Sequence, residues 1–322
     1  MPIFGLGKKK DAAGHPRRVL GDGDRLAAAL IQSAQAQNWT EIHGTLTRLS
    51  GRDQSAVAGK LCAHEATRPW LLKLAEEDPE DYVGRLVVGT CTIEDAWQAR
   101  SSLKAQHVSR DQFARFHELL RVAEDRLYEA AVLAPEAVAP WHYLLMSGRG
   151  LEVGIDIIER RFESVTNRCP DHYEAHFQML QALCRKWAGS HERMHAFARE
   201  SMAGPHWSTL APLVPIAHLE RFLDMGGGEP GRAYLARPEV LAEIQEAADL
   251  TLGQPGHADA RSPYSTANIF AMAFSLARSW ESARSAFEAT DWVVTRFPWM
   301  YLNGRDPKAP YAKFRDFAVR LG

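Results

Sequence analysis

The stretch ANIFAMAFSLARSWESARSAFEA, residues 267–289, carries the reading that decides the fold. Its apolar and aromatic residues recur at helical steps: Ala267, Phe270, Ala271 and Phe274 in the first half, Ala283 and Phe287 in the second. That spacing lines one face of a helix and lacks the alternation of a half-buried strand. A small residue such as Ala271 or Ala283 lets two helix backbones approach closely, and an aromatic fills the gap beside it. The stretch therefore reads as a pair of antiparallel helices packed on each other.

The same period runs outward through the chain. Leu26, Leu30, Ile31 and Ala34 form one apolar stripe, and Trp39, Ile42, Leu46 and Leu49 the next. Thr92-x-x-Asp95 and Ser109-x-x-Gln112 read as capping-box-like helix starts, the first only approximately because Asp stands for Glu or Gln. Helices of about 10–20 residues joined by short turns are expected. The glycine-rich run Met225-Gly226-Gly227-Gly228-Glu229-Pro230-Gly231 and a second loop at residues 253–262 interrupt the pattern. The expected organisation is a disordered basic tail at 1–22, a helical repeat region at 23–225, a linker at 226–235 and a C-terminal helical repeat subdomain at 236–322.

Pro135, Pro170 and Pro205 are spaced 35 residues apart, each closing an amphipathic helix. Repeats of about 34 residues, each a helix pair ending in proline, characterise tetratricopeptide arrays. Trp141 and Leu144 follow Pro135 at the opening positions of such a repeat, and the quoted stretch fits the consensus small and aromatic positions. Pro298 then comes three residues late. In the unit from Pro135 to Pro170, Gly148 stands at the tyrosine slot and Phe162 is displaced by one. Over residues 110–225 and 263–300 the chain resembles tetratricopeptide-like α-solenoids, and residues 186–190 are similar to a segment of uncharacterised bacterial proteins of that helical type. The resemblance implies an all-α fold, with antiparallel helix pairs stacked as a degenerate tetratricopeptide-like solenoid. It implies a concave groove and no activity.

Composition narrows the function classes. The 322 residues are 46% hydrophobic and 24% charged, which fits a soluble globular protein with a substantial core. The longest apolar stretches, such as residues 269–274, fall well short of the roughly 20 residues that span a bilayer. The N-terminal order, apolar residues before lysines, is the reverse of a secretory signal, and Pro2 excludes N-myristoylation. Cys62, Cys91, Cys169 and Cys184 are widely spaced, without a C-x-x-C pair, and read as reduced thiols in a cytoplasm. With a net charge of -2 and bases interleaved with acids beyond the tail, no nucleic-acid footprint is expected, and no membrane partner.

One motif demands separate treatment. His191-Glu192-Arg193-Met194-His195 matches the H-E-x-x-H pattern, in which two histidines one turn apart bind zinc and the glutamate polarises a metal-bound water. Here Gly189-Ser190 is a turn and N-cap, so His191 opens its helix rather than lying inside it, and Arg193 adds a cation between the ligands. Glu220 is the candidate third ligand. The competing reading places Met194, Phe197, Ala198 and Met202 in a packing stripe with both histidines at its edge. His172, His176, His206 and His218 make residues 172–218 histidine-rich, which leaves a structural metal open there. Neither a G-x-S-x-G elbow nor a phosphate-binding glycine loop occurs, and no cofactor is expected. The nine tryptophans, Trp187, Trp207, Trp280, Trp292 and Trp299 among them, read mainly as packing residues, with some free to line a groove.

Two functions follow. The first, preferred because no catalytic constellation is complete, is a non-catalytic helical-repeat scaffold or adaptor that binds a protein or peptide in its concave groove. The second is a zinc-dependent hydrolase built on His191, Glu192 and His195. For the first, the register set by Pro170 puts Leu180 and Leu183 at packing positions and His176 in the opening aromatic slot. Glu174, Phe177, Gln181 and Arg185 then form the partner-binding face, with His142 the equivalent position one repeat earlier.

Overall fold

The computed structural model describes residues 15–100, 108–187, 189–257 and 263–322. The lysine cluster of the expected tail and the last part of the 253–262 loop lie outside the described residues. Helix accounts for 72% of the described residues, which contain no strand, so the fold is all-α. The chain opens with α1 (Arg25–Gln35), α2 (Trp39–Arg48), α3 (Gly51–Cys62) and α4 (Arg68–Ala75). Three pairs follow: α5 (Tyr82–Arg100) with α6 (Arg110–Leu133), α7 (Ala139–Gly150) with α8 (Ile155–Thr166), and α9 (Tyr173–Ala182) with α10 (His191–Ala203). A single turn, α11 (Trp207–Leu210), leads to α12 (Leu213–Asp224), α13 (Gly228–Leu235) and α14 (Pro238–Asp249). The quoted stretch forms α15 (Pro263–Leu276) and α16 (Trp280–Ala289), and α17 (Lys308–Leu321) closes the chain after a 3-10 turn at Trp299–Tyr301.

Pro135, Pro170 and Pro205 stand in the turns that follow α6, α8 and α10. Ser109 closes a full capping box with Gln112 at the start of α6, satisfying two orphan donors of the first turn. Thr92, by contrast, starts nothing. It is buried in the middle of α5, where its hydroxyl donates to the Val88 carbonyl at 2.7 Å, so the side chain that suggested a cap is satisfied within the helix.

Within each pair the two helices bury different amounts of their circumference. α12 buries every residue from Leu213 to Glu220, and α15 buries Ala267 through Leu276, which places both in the interior. The outer helices α8 and α16 bury a single stripe: Ile158, Arg161 and Val165 on α8, Ala283, Ala286 and Phe287 on α16. Gly148, at the tyrosine slot, is needed because a Cβ there would stand 2.4 Å from the Arg161 guanidinium. Arg161 fills that space instead and is held by Glu124 at 2.7 Å and the Tyr128 hydroxyl at 2.9 Å.

The interior row is covered on its other side by the chain's own beginning. α3 packs against α5, α7 and α9. Tyr143 of α7 donates to the Ser55 carbonyl at 2.6 Å, and the Ser55 hydroxyl lies 3.0 Å from His172 Nε2 at the start of α9. Residues 15–23 continue along the same side. Arg17 exchanges backbone hydrogen bonds with Trp292 and Val294 at 2.9 and 2.8 Å, and Gly23, at φ +89°, fits where a Cβ would strike the Tyr264 ring. The last third of the segment expected to be a disordered tail is thus docked on the C-terminal helices.

The buried apolar residues form two clusters that meet at α7. One holds α1 to α6 together with Tyr143 and Leu144, and the other runs from Val138 to Ala318. The second passes straight across the triple glycine: Phe222 before it and Leu235 after it share one core, and Gly231 lies where a Cβ would stand 2.5 Å from the Phe222 ring. Gly226 and Gly227, at φ +82° and +66°, make a tight turn, and α13 begins at Gly228. The expected 226–235 linker is therefore a turn and a packed helix. The division of the core falls some 80 residues earlier in the sequence, at residues 138–145.

Candidate functional site

The five residues expected to line a groove are dispersed by the covering helices. His142 is 4% exposed under α3, its ring 5.0 Å from that of His172, and burial pushes its pKa well below the ordinary histidine value. Gln181 is also 4% exposed and donates to Glu220 Oε1 at 2.7 Å. Neither reaches the surface. Phe177 is half-buried, edge-on to Phe297 at 5.4 Å. Glu174, partly exposed, stands 3.6 Å from His172 Nδ1, and exposed Arg185 lies 3.4 Å from Asp224. His142 and Gln181 are therefore buried in the folded chain, near α3 and the Trp299–Tyr301 turn respectively.

The H-E-x-x-H segment resolves into packing and hydrogen bonding. α10 begins at His191, and the Ser190 hydroxyl caps it by accepting from the Arg193 N–H at 3.2 Å. His191 Nε2 pairs with Asp224 at 2.9 Å, whereas His195 turns inward, its ring centroid 4.6 Å from that of His218. The Tyr234 hydroxyl lies 3.4 Å from His195 Nε2 and 2.6 Å from His218 Nδ1. His218 Nε2 in turn meets Glu243 at 3.0 Å, and Arg199 grips the same carboxylate at 2.8 Å. Burial, with His218 and Arg199 adding to it, lowers the His195 pKa to about 3, so the ring is neutral. Glu192 is exposed, its carboxyl held below its usual pKa by hydrogen bonds at the helix start. The two imidazoles are committed to different partners, and Glu220 belongs to another cluster. Among the described residues no group of three or more His, Cys, Asp or Glu converges in metal-binding geometry.

That other cluster lies where α5 and α7 end and the chain leaves α9. Arg100 is the last residue of α5 and Arg149 the last but one of α7; cations are favoured there by the carbonyl end of the helix dipole. The Arg149 guanidinium carbon sits 5.1 Å from the centre of the Trp97 ring and 5.4 Å from that of Trp187. The two indoles meet edge to face at 6.2 Å. Arg100 approaches the other side of Trp97 at 5.7 Å, beside Phe113 at 5.9 Å.

Arg149 has no carboxylate partner or hydrogen bond among the described residues; its Nε is sealed from solvent without an acceptor. The indole N–H groups of Trp97 and Trp187 are in the same condition. Burial lowers the Arg149 pKa, opposed by Cys184, Glu220 and Tyr301 and aided by Arg100. Glu220 does not neutralise it by contact, because its carboxylate is already spent: Lys186 and Gln181 each donate to it at 2.7 Å, and so does the Tyr301 hydroxyl. Burial raises the Glu220 pKa, but the Lys186 charge and these hydrogen bonds outweigh it and leave the carboxyl below its ordinary value. Beside the Arg149 guanidinium the site thus presents sealed N–H donors on Arg149, Trp97 and Trp187 without acceptors among the described residues.

Of these residues the sequence singled out Trp187. Trp97-x-x-Arg100 has the i, i+3 spacing that brings two side chains together on a helix, and that signal was present. Nothing local marks Arg149, which joins them only through tertiary packing. Comparison with protein-family models, with curated proteins and with solved structures finds no match.

Proposed function

We propose that the protein is a non-catalytic helical scaffold or adaptor of tetratricopeptide-like build that binds a protein partner at the arginine–tryptophan cluster around Arg149, through a segment bearing a carboxylate. The observation that carries this reading is Arg149, a cation beside two indoles with no carboxylate in contact among the described residues. Two indole faces offset part of the cost of burying it, each by roughly 0.5–2 kcal/mol, but leave its hydrogen-bonding capacity unused. A carboxylate would satisfy that capacity through paired N–H donors, in the geometry a guanidinium fork favours. Tryptophan and arginine in a desolvated setting are also the residues that most often dominate binding energy at interfaces. All four cysteines are free and three are buried, which fits a reducing cytoplasm.

Affinity capture from lysate tests the reading when wild type is run beside Arg149→Met. The expected result is a set of partners retained by wild type and lost by the variant, at equal melting temperature. An identical set on both columns removes the cluster from the binding site.

A further inference from the structure

A second, separate cavity lies at the opposite end of the chain, among α13, α15, α16 and α17. Its volume is about 280 Å³. Trp280, Phe314, Phe317 and Leu321 form an apolar wall, and Arg232, Arg278 and Lys313 stand around it. Phe317 and Leu321 are 38% and 61% exposed, an unusual allowance for side chains that could have joined the adjacent core. Trp280 and Phe317 lie 5.8 Å apart with their rings tilted, leaving apolar surface on both facing the cavity.

The charges around this wall do not balance. Glu229 is shared by two cations, Arg278 at 2.8 Å and Arg232 at 3.7 Å, and Lys313 has no ion pair among the described residues. Among the acidic side chains of the described residues, only Glu229 is ion-paired with any of these three cations. Arg278 also occupies, at φ +60°, the left-handed position after α15 where glycine or asparagine is usual. A side chain long enough to reach the cavity is present despite that cost.

We propose that this cavity is a binding site for a small amphiphilic carboxylate. The acid's apolar body lies on Trp280, Phe314, Phe317 and Leu321, and its carboxylate meets Lys313 and the guanidinium pair. Size favours a small molecule, since about 280 Å³ matches the lower end of small-ligand sites, roughly 300 Å³, and a helix laid in a groove needs far more. Charge favours an acid over an alcohol or an amine, because the uncompensated cations repel a second cation and gain little from a neutral head. The site shares no residue with the Arg149 cluster, and the inference stands independently of the function proposed there.

Isothermal titration calorimetry with decanoate, decanol and decyltrimethylammonium checks it. Decanoate is expected to bind saturably with one site per chain, decanol at least about tenfold more weakly and the cation not at all. Lys313→Glu, on an exposed position of α17, is expected to weaken decanoate at least about tenfold without lowering the melting temperature. Arg149→Met is expected to leave decanoate binding intact, so failure of one site is distinguishable from failure of the other. Equal binding of decanol and decanoate, an unaffected Lys313→Glu, or no saturable decanoate binding overturns the proposal. Tight binding of an acidic phenylalanine-containing peptide with decanoate silent overturns it too, in favour of a protein interface.

Discussion

The imidazole cluster around His218 and the arginine–tryptophan cluster around Arg149 are built from comparable materials. Each gathers buried or partly buried polar side chains from several helices, and each includes aromatic rings and guanidinium groups. In the first, both His218 nitrogens have partners, Tyr234 and Glu243, and Arg199 balances the Glu243 charge. In the second, the Arg149 Nε and two indole N–H groups have no hydrogen-bond acceptor among the described residues. Closed networks of the first kind hold helices in register, here α10, α12, α13 and α14. Unspent donors lower stability unless something else uses them, and that difference separates a structural cluster from one with capacity for a partner.

The sharpest way to break this contrast is to open the closed cluster. His218→Ala leaves the Tyr234 hydroxyl and the Glu243 carboxylate each short of a partner and leaves a void beside His195. A loss of about 3 kcal/mol is expected, read by urea denaturation at neutral pH. A loss below about 1 kcal/mol would mean that the network contributes little to the fold and that the two clusters do not differ as described.

Acid should act on the same cluster through His195, and on His172 at the start of α9. His195 has a folded pKa of about 3 and His172 one of about 4, both depressed chiefly by burial, against 6.5 as the ordinary value. Below pH 6.5 the unfolded chain takes up protons that the folded one refuses, so stability is full above that pH and falls as the pH drops toward 4. Each such histidine contributes up to about 1.4 kcal/mol per pH unit in that window. Replacing His195 with glutamine should remove about one proton's worth of slope between pH 6 and 4. An unchanged slope would show that His195 is protonated in the folded protein.

Much of this was legible in the sequence, and the boundary has physical causes. Helical periodicity and cap chemistry are local, so the helices, the Ser109 and Ser190 caps and the proline-marked turns could be read directly. Thr92 misled because a threonine hydroxyl is satisfied equally well by the carbonyl one turn back. The covering of the interior helices by α3 could not be read, since it joins Ser55 to His172 across 117 positions. That one packing choice buries His142. Gln181 is buried at the other end of the row, where Glu220 and Tyr301 close over it, and together these turn an expected groove into core. Arg149 escaped notice for the same reason in reverse: only the folded chain shows that it meets Trp97 and Trp187 and no carboxylate.

The arginine–tryptophan cluster yields a smaller stability change of unusual sign. Arg149→Met keeps a flexible stem between the two indoles and deletes a cation that has no partner. Stability should hold within about 1 kcal/mol of wild type or rise slightly, since exchanging a buried charge for an apolar side chain is often neutral or favourable. Partner capture should be lost all the same. A marked loss of stability would show that the cation–π contacts hold this edge of the fold together, and this cluster would then belong with the closed one.

The smallest effect is expected at Glu192, the residue that would serve as general base if the H-E-x-x-H pattern were catalytic. Its carboxylate is exposed at the first turn of α10 and contacts neither imidazole network. His191 is turned to Asp224 and His195 to Tyr234, so a metal could join the two histidines only by breaking both interactions and charging a desolvated pocket. Glu192→Gln keeps shape and helix propensity and removes only a charge near the helix start. Melting temperature should be unchanged within error, and zinc in the purified protein, read by plasma emission spectroscopy, should remain well below one per chain in wild type and variant alike. Stoichiometric zinc lost on His195→Ala, together with peptide hydrolysis abolished by Glu192→Gln, would reverse the assignment and make the closed cluster the working site.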